Sequence, residues 1–369
     1  MKRYIFILSI SILSLAISLT GCSSEKKPSA ERLEIESEAA SIDFPDSFQK
    51  DYDNQLRVDA QIIVPNELKG KKLQGAKAEY YSPKLETVKQ KTEEYAGITL
   101  EEFDVLEDQD YEGITVYTHQ YETLQEDVLS ITYSENQNNL LYYPDDMGYV
   151  FYSFRLAEDP NYNAGLFLTG EEFAFAGMSD AFQRVKQYLE EIGIAVGEGY
   201  RCYSLSYETL RQEEIIYEEE SHRERKEWSE KDNAYYFAMN QEANGLPVYI
   251  PLYGIYADDN DYNAPIQIMY KDSGIGFIQT GTMYVITPME TYVNPLGIEE
   301  IFDHVKEKYD MLISDDEVTI TQAKLCWIPD KDSENLILGW SMRGHTSSGA
   351  GLQMFYDAQT GKELIGVSL

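Results

Sequence analysis

The acidic stretch DDNDYNAP, which begins at Asp258, has the density of side-chain oxygens that a calcium ion requires. Asp259, Asp261 and Asn263 fall at the first, third and fifth positions of a calcium-binding loop. The sixth position is Ala264, where the sharp turn of such a loop requires glycine, and the twelfth is a tyrosine instead of a bidentate glutamate. The stretch is therefore a poor EF-hand.

The same stretch has a counterpart earlier in the chain. Residues 257–264 (ADDNDYNA) and residues 157–164 (AEDPNYNA) are identical at five of eight positions. The turn-forming residues recur, whereas the acids differ between the two copies. We interpret both as turns between strands, and cation binding at residues 258–263 is the alternative.

The sequence has no residue pattern for nucleophilic hydrolysis. The G-x-S-x-G elbow is missing; its nearest match, GMSDA, lacks the second glycine, and Ser179 within it is typical of a helix N-cap. Ser47 and Lys50 fit S-x-x-K, but no K-T-G follows. We interpret neither serine as a nucleophile.

Metal and cofactor motifs are also missing from the sequence. The four histidines are scattered and form neither H-x-x-H nor H-E-x-x-H; they are His119, His222, His304 and His345. The 65 Asp and Glu residues do not single out a catalytic carboxylate pair. Gly274 and Gly276 lack the third glycine and the strand-then-helix setting of a phosphate loop. We predict no catalytic residue, no metal and no cofactor, and hence a protein that is not an enzyme.

The N-terminal residues predict export. Two basic residues precede an apolar run at residues 4–19, which is short for a transmembrane helix and predicts a signal peptide at residues 1–21. Residues 19–22 (LTGC) resemble the lipobox of bacterial lipoproteins. The resemblance implies that Cys22 is diacylated, as by palmitate, and anchors the chain at the extracytoplasmic face of the cell membrane. Residues 22–42 are polar and aperiodic, and are predicted to form a flexible tether.

The chain is strongly acidic. Its formal charge of −35 over 369 residues repels nucleic-acid phosphates, so nucleic acid is excluded as a partner, and cationic or neutral partners are expected. Charge that only keeps a surface protein soluble explains the same composition. The 30 tyrosines fit either half-buried strands or a recognition surface. Cys202 and Cys326 fit either a disulfide or two buried thiols.

Apolar periodicity predicts a β-rich α+β domain at residues 43–157. Apolar residues alternate from Leu56 to Val64, and a helix is predicted from Pro83 to about Tyr95. Residues 101–112 carry seven acids and no base, which predicts a loop or an exposed helix end. Further strands are predicted at residues 75–81, 114–120, 128–133, 139–143 and 149–157.

Two amphipathic helices then begin a repeated pattern. Residues 179–192 and 298–312 place apolar side chains at the same spacings, and a strand containing a cysteine and a pair of strands follow each. The first module is predicted at residues 158–290, with a charged helical insert at residues 208–232, and the second at residues 291–369. The predicted fold class is therefore α+β: an antiparallel β-rich N-terminal domain followed by two helix-plus-three-strand repeats.

The last strands close on YDAQTGKEL, in which Asp357, Thr360 and Gly361 resemble the final turn of PepSY-type modules of exported bacterial proteins. Tandem modules are similar to the YycH and YycI type of extracytoplasmic regulators, which bind and restrain a sensor kinase. The layout also resembles uncharacterised surface lipoproteins of Gram-positive bacteria. The known regulators of this type are usually held by a transmembrane helix, in contrast to the lipid anchor predicted for this chain.

The resemblance implies a membrane-anchored extracytoplasmic lipoprotein that acts as a non-enzymatic binding or regulatory module. Its partner would be another cell-envelope protein, of the sensor-kinase or protease type. The alternative function is capture of a small ligand, namely a glycan, a peptide or a cation.

Overall fold

The computed structural model describes residues 41–52, 55–110, 113–144, 170–211, 227–249, 264–311, 316–330 and 333–367. The described residues are mostly β, with 48% of them in strands and 20% in helices. Several sequence predictions lie outside the described residues: the signal peptide, Cys22, most of the tether, the strand at residues 149–157, the AEDPNYNA turn, the acidic stretch as far as residue 263 and residues 212–226 of the charged insert.

Strands dominate every part of the described chain, and α-helices separate groups of them. The strands are β1 (Ser47–Tyr52), β2 (Leu56–Ile63), β3 (Leu73–Tyr80), β4 (Glu101–Gln109), β5 (Thr115–Glu122), β6 (Val128–Tyr133), β7 (Asn138–Tyr143), β8 (Tyr200–Leu205), β9 (Ala234–Met239), β10 (Glu242–Ala243), β11 (Leu246–Pro247), β12 (Ile266–Lys271), β13 (Gly274–Thr280), β14 (Tyr284–Val293), β15 (Val318–Pro329), β16 (Leu336–Thr346), β17 (Gly351–Asp357) and β18 (Glu363–Val367). The helices with both ends described are α1 (Leu85–Ala96), α2 (Met178–Glu191) and α3 (Ile298–Met311), and single 3-10 turns lie at Asn66–Leu68 and Glu230–Asp232. Residues 207–211, at the limit of a described range, are also helical.

A six-stranded sheet joins the first two described strands to the last four, in the order β1-β2-β15-β16-β17-β18. Strand β2 runs parallel to β15, and the other neighbours are antiparallel. Side chains of β2 alternate between buried and exposed, which confirms the strand predicted there. Its buried residues share one core with Phe302 and Val305 of α3 and with the tryptophans Trp327 and Trp340.

An eight-stranded antiparallel sheet runs in the order β4-β5-β6-β7-β13-β12-β9-β8. Helices α1 and α2 share one core with it, because their apolar faces pack with its buried side chains. The two helices also contact each other: Thr92 Oγ1 lies 3.0 Å from the Tyr188 hydroxyl, and Lys91 Nζ lies 2.6 Å from Glu191 Oε2. Strands β3 and β14 form a separate two-stranded ribbon, as do β10 and β11.

A helix followed by an antiparallel meander of four strands occurs three times in the described residues. Helix α1 precedes β4 to β7, helix α2 precedes β8, β9, β12 and β13, and helix α3 precedes β15 to β18. The first two meanders join through their last strands, since β7 pairs with β13 at Leu141 and Tyr142. The third meander joins the N-terminal strand β2.

The predicted fold class is wrong. The chain is not an N-terminal β domain followed by two helix-plus-three-strand repeats, because the expected N-terminal strands lie in the same sheets as the later ones. Each predicted repeat also has a fourth strand in its sheet. Periodicity along the chain marks where strands occur, but it contains no information about which strands pair. Pairing of β2 with β15 depends on contacts between distant segments.

Two local predictions are also wrong. The acidic segment predicted as a loop or helix end is strand β4, whose nine residues are all exposed. Both faces of β4 are in water at the end of a sheet. Its carboxylates therefore stay hydrated while the segment keeps a strand conformation. Ser179 is not the N-cap of α2, which is Gly177; the carboxylate of Glu172 accepts the N–H of Met178, 3.3 Å away.

Candidate functional site

Exposed apolar side chains are concentrated on the β4–β5 pair and the turn that follows it. Nine large hydrophobic side chains are exposed among the described residues, and five of them lie here. They are Phe103 (60% exposed), Val105 (46%), Leu106 (43%), Tyr117 (37%) and Leu124 (92%). We name these five residues, with the rest of β4, the β4 edge surface. A cluster of this kind marks a contact site more often than single exposed residues do.

Strand β4 is the terminal strand of the eight-stranded sheet. It pairs with β5 on one side, and in the part of the chain that the structure describes its other backbone edge adjoins no strand. The N–H of Val105 donates to Asp104 Oδ1 at 2.8 Å, and the N–H of Gln109 donates to Asp108 Oδ1 at 2.8 Å. Side chains of β4 itself thus satisfy two N–H groups that the ladder with β5 leaves unused.

A β-bulge at the start of β4 changes its register against β5. Glu102 lies opposite Tyr121 and Asp104 opposite Gln120, so Phe103 is the extra residue. After the bulge, Val105 lies opposite His119 on one face of the sheet, and Leu106 lies on the other face. The bulge therefore places an aromatic side chain outside the regular alternation, at the sheet's exposed edge.

An aromatic group lies beside Val105 on the same face. The rings of Tyr117 and Tyr133 are 5.7 Å apart across β5 and β6, and the His119 ring stacks on Tyr133 at 5.9 Å and 13°. The Tyr133 hydroxyl lies 3.4 Å from His119 Nε2. These contacts hold Tyr117 in a fixed position while leaving its ring partly in water.

The turn between β5 and β6 is rigid and presents Leu124 to solvent. The Thr123 hydroxyl accepts the N–H groups of Gln125 at 3.2 Å and Asp127 at 3.1 Å, and the Glu126 N–H donates to the Thr123 carbonyl at 3.1 Å. Leu124 therefore extends the apolar part of the β4 edge surface beyond the strands.

The histidines lie in separate places where they are described. His119 is stacked within the β5–β6 face, His345 is exposed on β16, and His222 lies outside the described residues. His304 Nδ1 lies 3.4 Å from Glu307 Oε2 on α3. Among the described residues no group of three or more His, Cys, Asp or Glu side chains is placed to hold a metal ion.

The S-x-x-K residues form a structural contact. Lys50 Nζ lies 3.0 Å from Glu299 Oε1 and 3.1 Å from Asp303 Oδ1, and the Tyr52 hydroxyl donates to Asp303 Oδ1 at 3.0 Å. Hydrogen bonds to Glu299 and then Asp303 raise the pKa of Lys50. The lysine is thereby a cation that joins β1 to α3, and it is not a base for Ser47.

The two cysteines among the described residues are thiols that form no disulfide, and both are buried. Cys202 lies in β8 and Cys326 in β15, which belong to different sheets. Burial, with a smaller effect of Glu172, raises the pKa of Cys202 to about 12. Of the two alternatives left open by the sequence, the structure has buried thiols. A thiol with so high a pKa is a poor nucleophile.

The β4 edge surface was not predicted, although the sequence contains a signal for it. Phe103 and Val105 alternate with Glu102 and Asp104, which is the period of a strand. The density of acids in this segment hid the alternation.

No helix in the described part of the chain combines the length and apolar character needed to cross a membrane.

Comparison with known proteins gives a fold and no function. No family model and no curated protein matches this chain. The chain is similar to an uncharacterised protein from Eubacterium rectale ATCC 33656, with a TM-score of 0.54 and 15% sequence identity. The similarity covers 87% of this chain and 94% of that one. At this identity the likeness shows the overall fold alone.

Proposed function

We propose that this protein is a lipid-anchored, extracytoplasmic and non-enzymatic binding protein that recognises another cell-envelope protein through the β4 edge surface. The lipobox-like residues 19–22 support the anchor at Cys22. The observation that supports recognition is the concentration of exposed apolar side chains beside an edge that no described strand covers. A sensor kinase or a protease is the class of partner that the resemblance to PepSY-type modules suggests.

The composition of the β4 edge surface suits a protein partner. Phe103, Leu106 and Leu124 give apolar contact area, and five of the nine residues of β4 are acidic. An apolar centre within a polar margin is the usual arrangement of protein interfaces. Aromatic residues such as Phe103 and Tyr117 often contribute most of the affinity of such contacts.

The proposal is tested by site-specific photo-crosslinking in whole cells of the source organism. A photoreactive amino acid replaces Phe103 in one variant and Leu106 in a second. A third variant carries it at Val285, which is exposed to a similar degree (45%) but lies on β14, outside the β4 edge surface. We expect one dominant crosslinked membrane protein from the first two variants and none from the third.

A variant with Phe103→Ser and Leu106→Ser, probed from Leu124, provides a second measurement. Loss of the crosslink with unchanged thermal stability would support the β4 edge surface as the contact. Equal crosslinking from Val285, or no protein partner at any of these positions, would refute the proposal. Crosslinking to a glycan or a peptide only would support the alternative function of small-ligand capture.

The anchor has its own test. Cys22→Ala should move the protein from the membrane fraction to the soluble fraction, because the acylated residue is lost. A membrane-bound C22A variant would refute the lipid anchor while leaving the proposed recognition surface unaffected.

A further inference from the structure

We propose that the partner binds by adding an extended, basic segment of its own chain, as a further strand, to the edge of β4 that no described strand covers. This inference rests on the proposed function, since it names the chemistry by which the same surface would recognise its partner. Strand addition to a sheet edge is a general mode of peptide recognition. Backbone hydrogen bonds, charge and exposed side chains on β4 each support it.

The backbone of β4 offers the required hydrogen-bonding groups. The N–H groups of Val105 and Gln109 are directed away from β5, because each donates to the side chain of the preceding aspartate. Backbone groups of alternate residues in a strand face the same edge, so the N–H of Glu107 faces it as well. Val105, Glu107 and Gln109 thus form a row of donors at the regular spacing that an added strand uses.

The charge on β4 selects a basic partner. The strand EEFDVLEDQ has five acids and no base. Glu107 lies opposite Tyr117 on one face, whereas Asp104 and Asp108 lie on the other, so lysine or arginine side chains on either face of an added strand would meet carboxylates. A second copy of this chain paired edge to edge would instead place acids next to acids, which disfavours self-association through β4.

The two aspartates also favour a basic strand over a neutral or acidic one. Asp104 and Asp108 accept the outward N–H groups at 2.8 Å and so occupy part of the edge when no partner is bound. An added strand must displace both carboxylates. A lysine or arginine on the added strand offers the displaced carboxylates new charge-assisted hydrogen bonds, whereas a neutral or acidic strand does not.

The exposed side chains favour a segment that carries both basic and apolar residues on each of its faces. Val105 and Leu106 project from opposite faces of β4, and each would contact an apolar side chain of the added strand. Phe103, at the bulge, extends this contact beyond the regular ladder. Because successive side chains of a strand point to opposite faces, lysines and valines must occur in pairs (Lys-Lys-Val-Val) along this segment, which is about as long as the nine residues of β4.

The test uses the full chain and a peptide with the length of β4 in which pairs of lysines alternate with pairs of valines. Binding is measured by titration, and the amide hydrogen exchange of β4 is followed by NMR. We expect slower exchange at Val105, Glu107 and Gln109, because the added strand accepts their N–H groups. The N–H groups of Leu106 and Asp108 already face β5 and should change little.

Two control peptides separate strand addition from general attraction to an acidic protein. A peptide of the same sequence, N-methylated at alternate residues, keeps its charge but cannot complete the ladder; we expect it to bind at least about tenfold more weakly. A peptide with glutamate in place of lysine should not bind. The variant Glu107→Lys with Asp108→Lys should prefer the glutamate peptide.

The outcomes distinguish this inference from the proposed function. Equal affinity for the N-methylated peptide, or binding without protection at Val105 and Gln109, would overturn strand addition. If crosslinks from Phe103 and Leu106 still identify one partner, the proposed function stands and only the binding mode is wrong. If neither peptide nor crosslink is obtained, both proposals fail.

Discussion

The carbonyl oxygen of Tyr95 lies so close to Gly274 that a β-carbon at Gly274 would be 2.0 Å from it. Tyr95 is in the last turn of α1, and Gly274 begins β13 with a φ of +112°. The contact joins the helix of the first meander to a strand of the second. The absence of a side chain at Gly274 is therefore a condition for the two meanders to share one core.

We expect Gly274→Ala to lower the free energy of unfolding by at least about 2 kcal/mol, because it combines an unfavourable positive φ with a clash against backbone atoms. Denaturant unfolding measures the change. Gly70→Ala is the matched control, since Gly70 also has a positive φ, +75°, but no atom lies within 4 Å of its added β-carbon. Equal losses in the two variants would contradict the close contact.

Two fully buried tryptophans provide a matched pair for the second prediction. The Trp327 indole N–H donates to the Ala243 carbonyl at 2.7 Å, whereas the Trp340 indole N–H has no hydrogen-bond partner among the described residues. Both Trp→Phe changes remove similar volume. We expect Trp327→Phe to be more destabilising by about 1 kcal/mol, the net value of a hydrogen bond whose partner stays buried. Thermal and denaturant unfolding of both variants measure which one loses more stability.

The third prediction concerns acid stability. Hydrogen bonds from Lys91 and then Gln187 lower the pKa of Glu191 below 4.5. A lowered folded-state pKa gives stability that is fully present above the unfolded value and is lost as the pH falls through the lower folded value. Glu191→Gln should therefore be less stable than the unaltered protein near neutral pH, and the difference should shrink below about pH 4.5.

The control for this acid effect is Glu190→Gln, because the Glu190 carboxylate is more exposed and lies 4.0 Å from Lys186. Its effect on stability should be small at every pH, as for most surface ion pairs. A stability difference for Glu191→Gln that is independent of pH would contradict the assignment.

The fourth prediction concerns the buried thiols. Cys202 and Cys326 should resist alkylation in the native protein and react after unfolding, because burial shields both and raises the pKa of Cys202 to about 12. Peptide mapping by mass spectrometry locates the modified residues. Fast native labelling, or a Cys202–Cys326 disulfide in the unreduced protein, would contradict the structure.

The fifth prediction concerns protection of the exposed edge. Asp104→Asn with Asp108→Asn removes two charges from β4 and weakens the hydrogen bonds that occupy its edge. We expect this variant to self-associate more than the unaltered protein, since charged edges prevent strand pairing between copies. Sedimentation velocity compares it with Glu86→Gln combined with Glu300→Gln, which removes the same charge from α1 and α3. Equal association of the two variants would show that only net charge matters.

Individual helices and strands were predictable because the spacing of apolar residues along the chain follows the period of each element. The predicted helices at residues 179–192 and 298–312 correspond to α2 (Met178–Glu191) and α3 (Ile298–Met311), and alternation identified β2. In contrast, one strand of the pair predicted in the first module is only the two-residue β11 (Leu246–Pro247), which pairs with the equally short β10. A short apolar run specifies a strand without specifying its partner or its length.

The sequence by itself determined the periodic elements, the strong negative charge and the absence of known catalytic motifs, because each depends on residue type and near spacing. Only the tertiary structure decided that β2 pairs with β15, that β7 pairs with β13 and that β4 lies at an edge. Strand pairing depends on burial shared between segments far apart in the chain. For the same reason, the exposure of Phe103 and Leu106 became visible only when the strand beside them proved to be the last in its sheet.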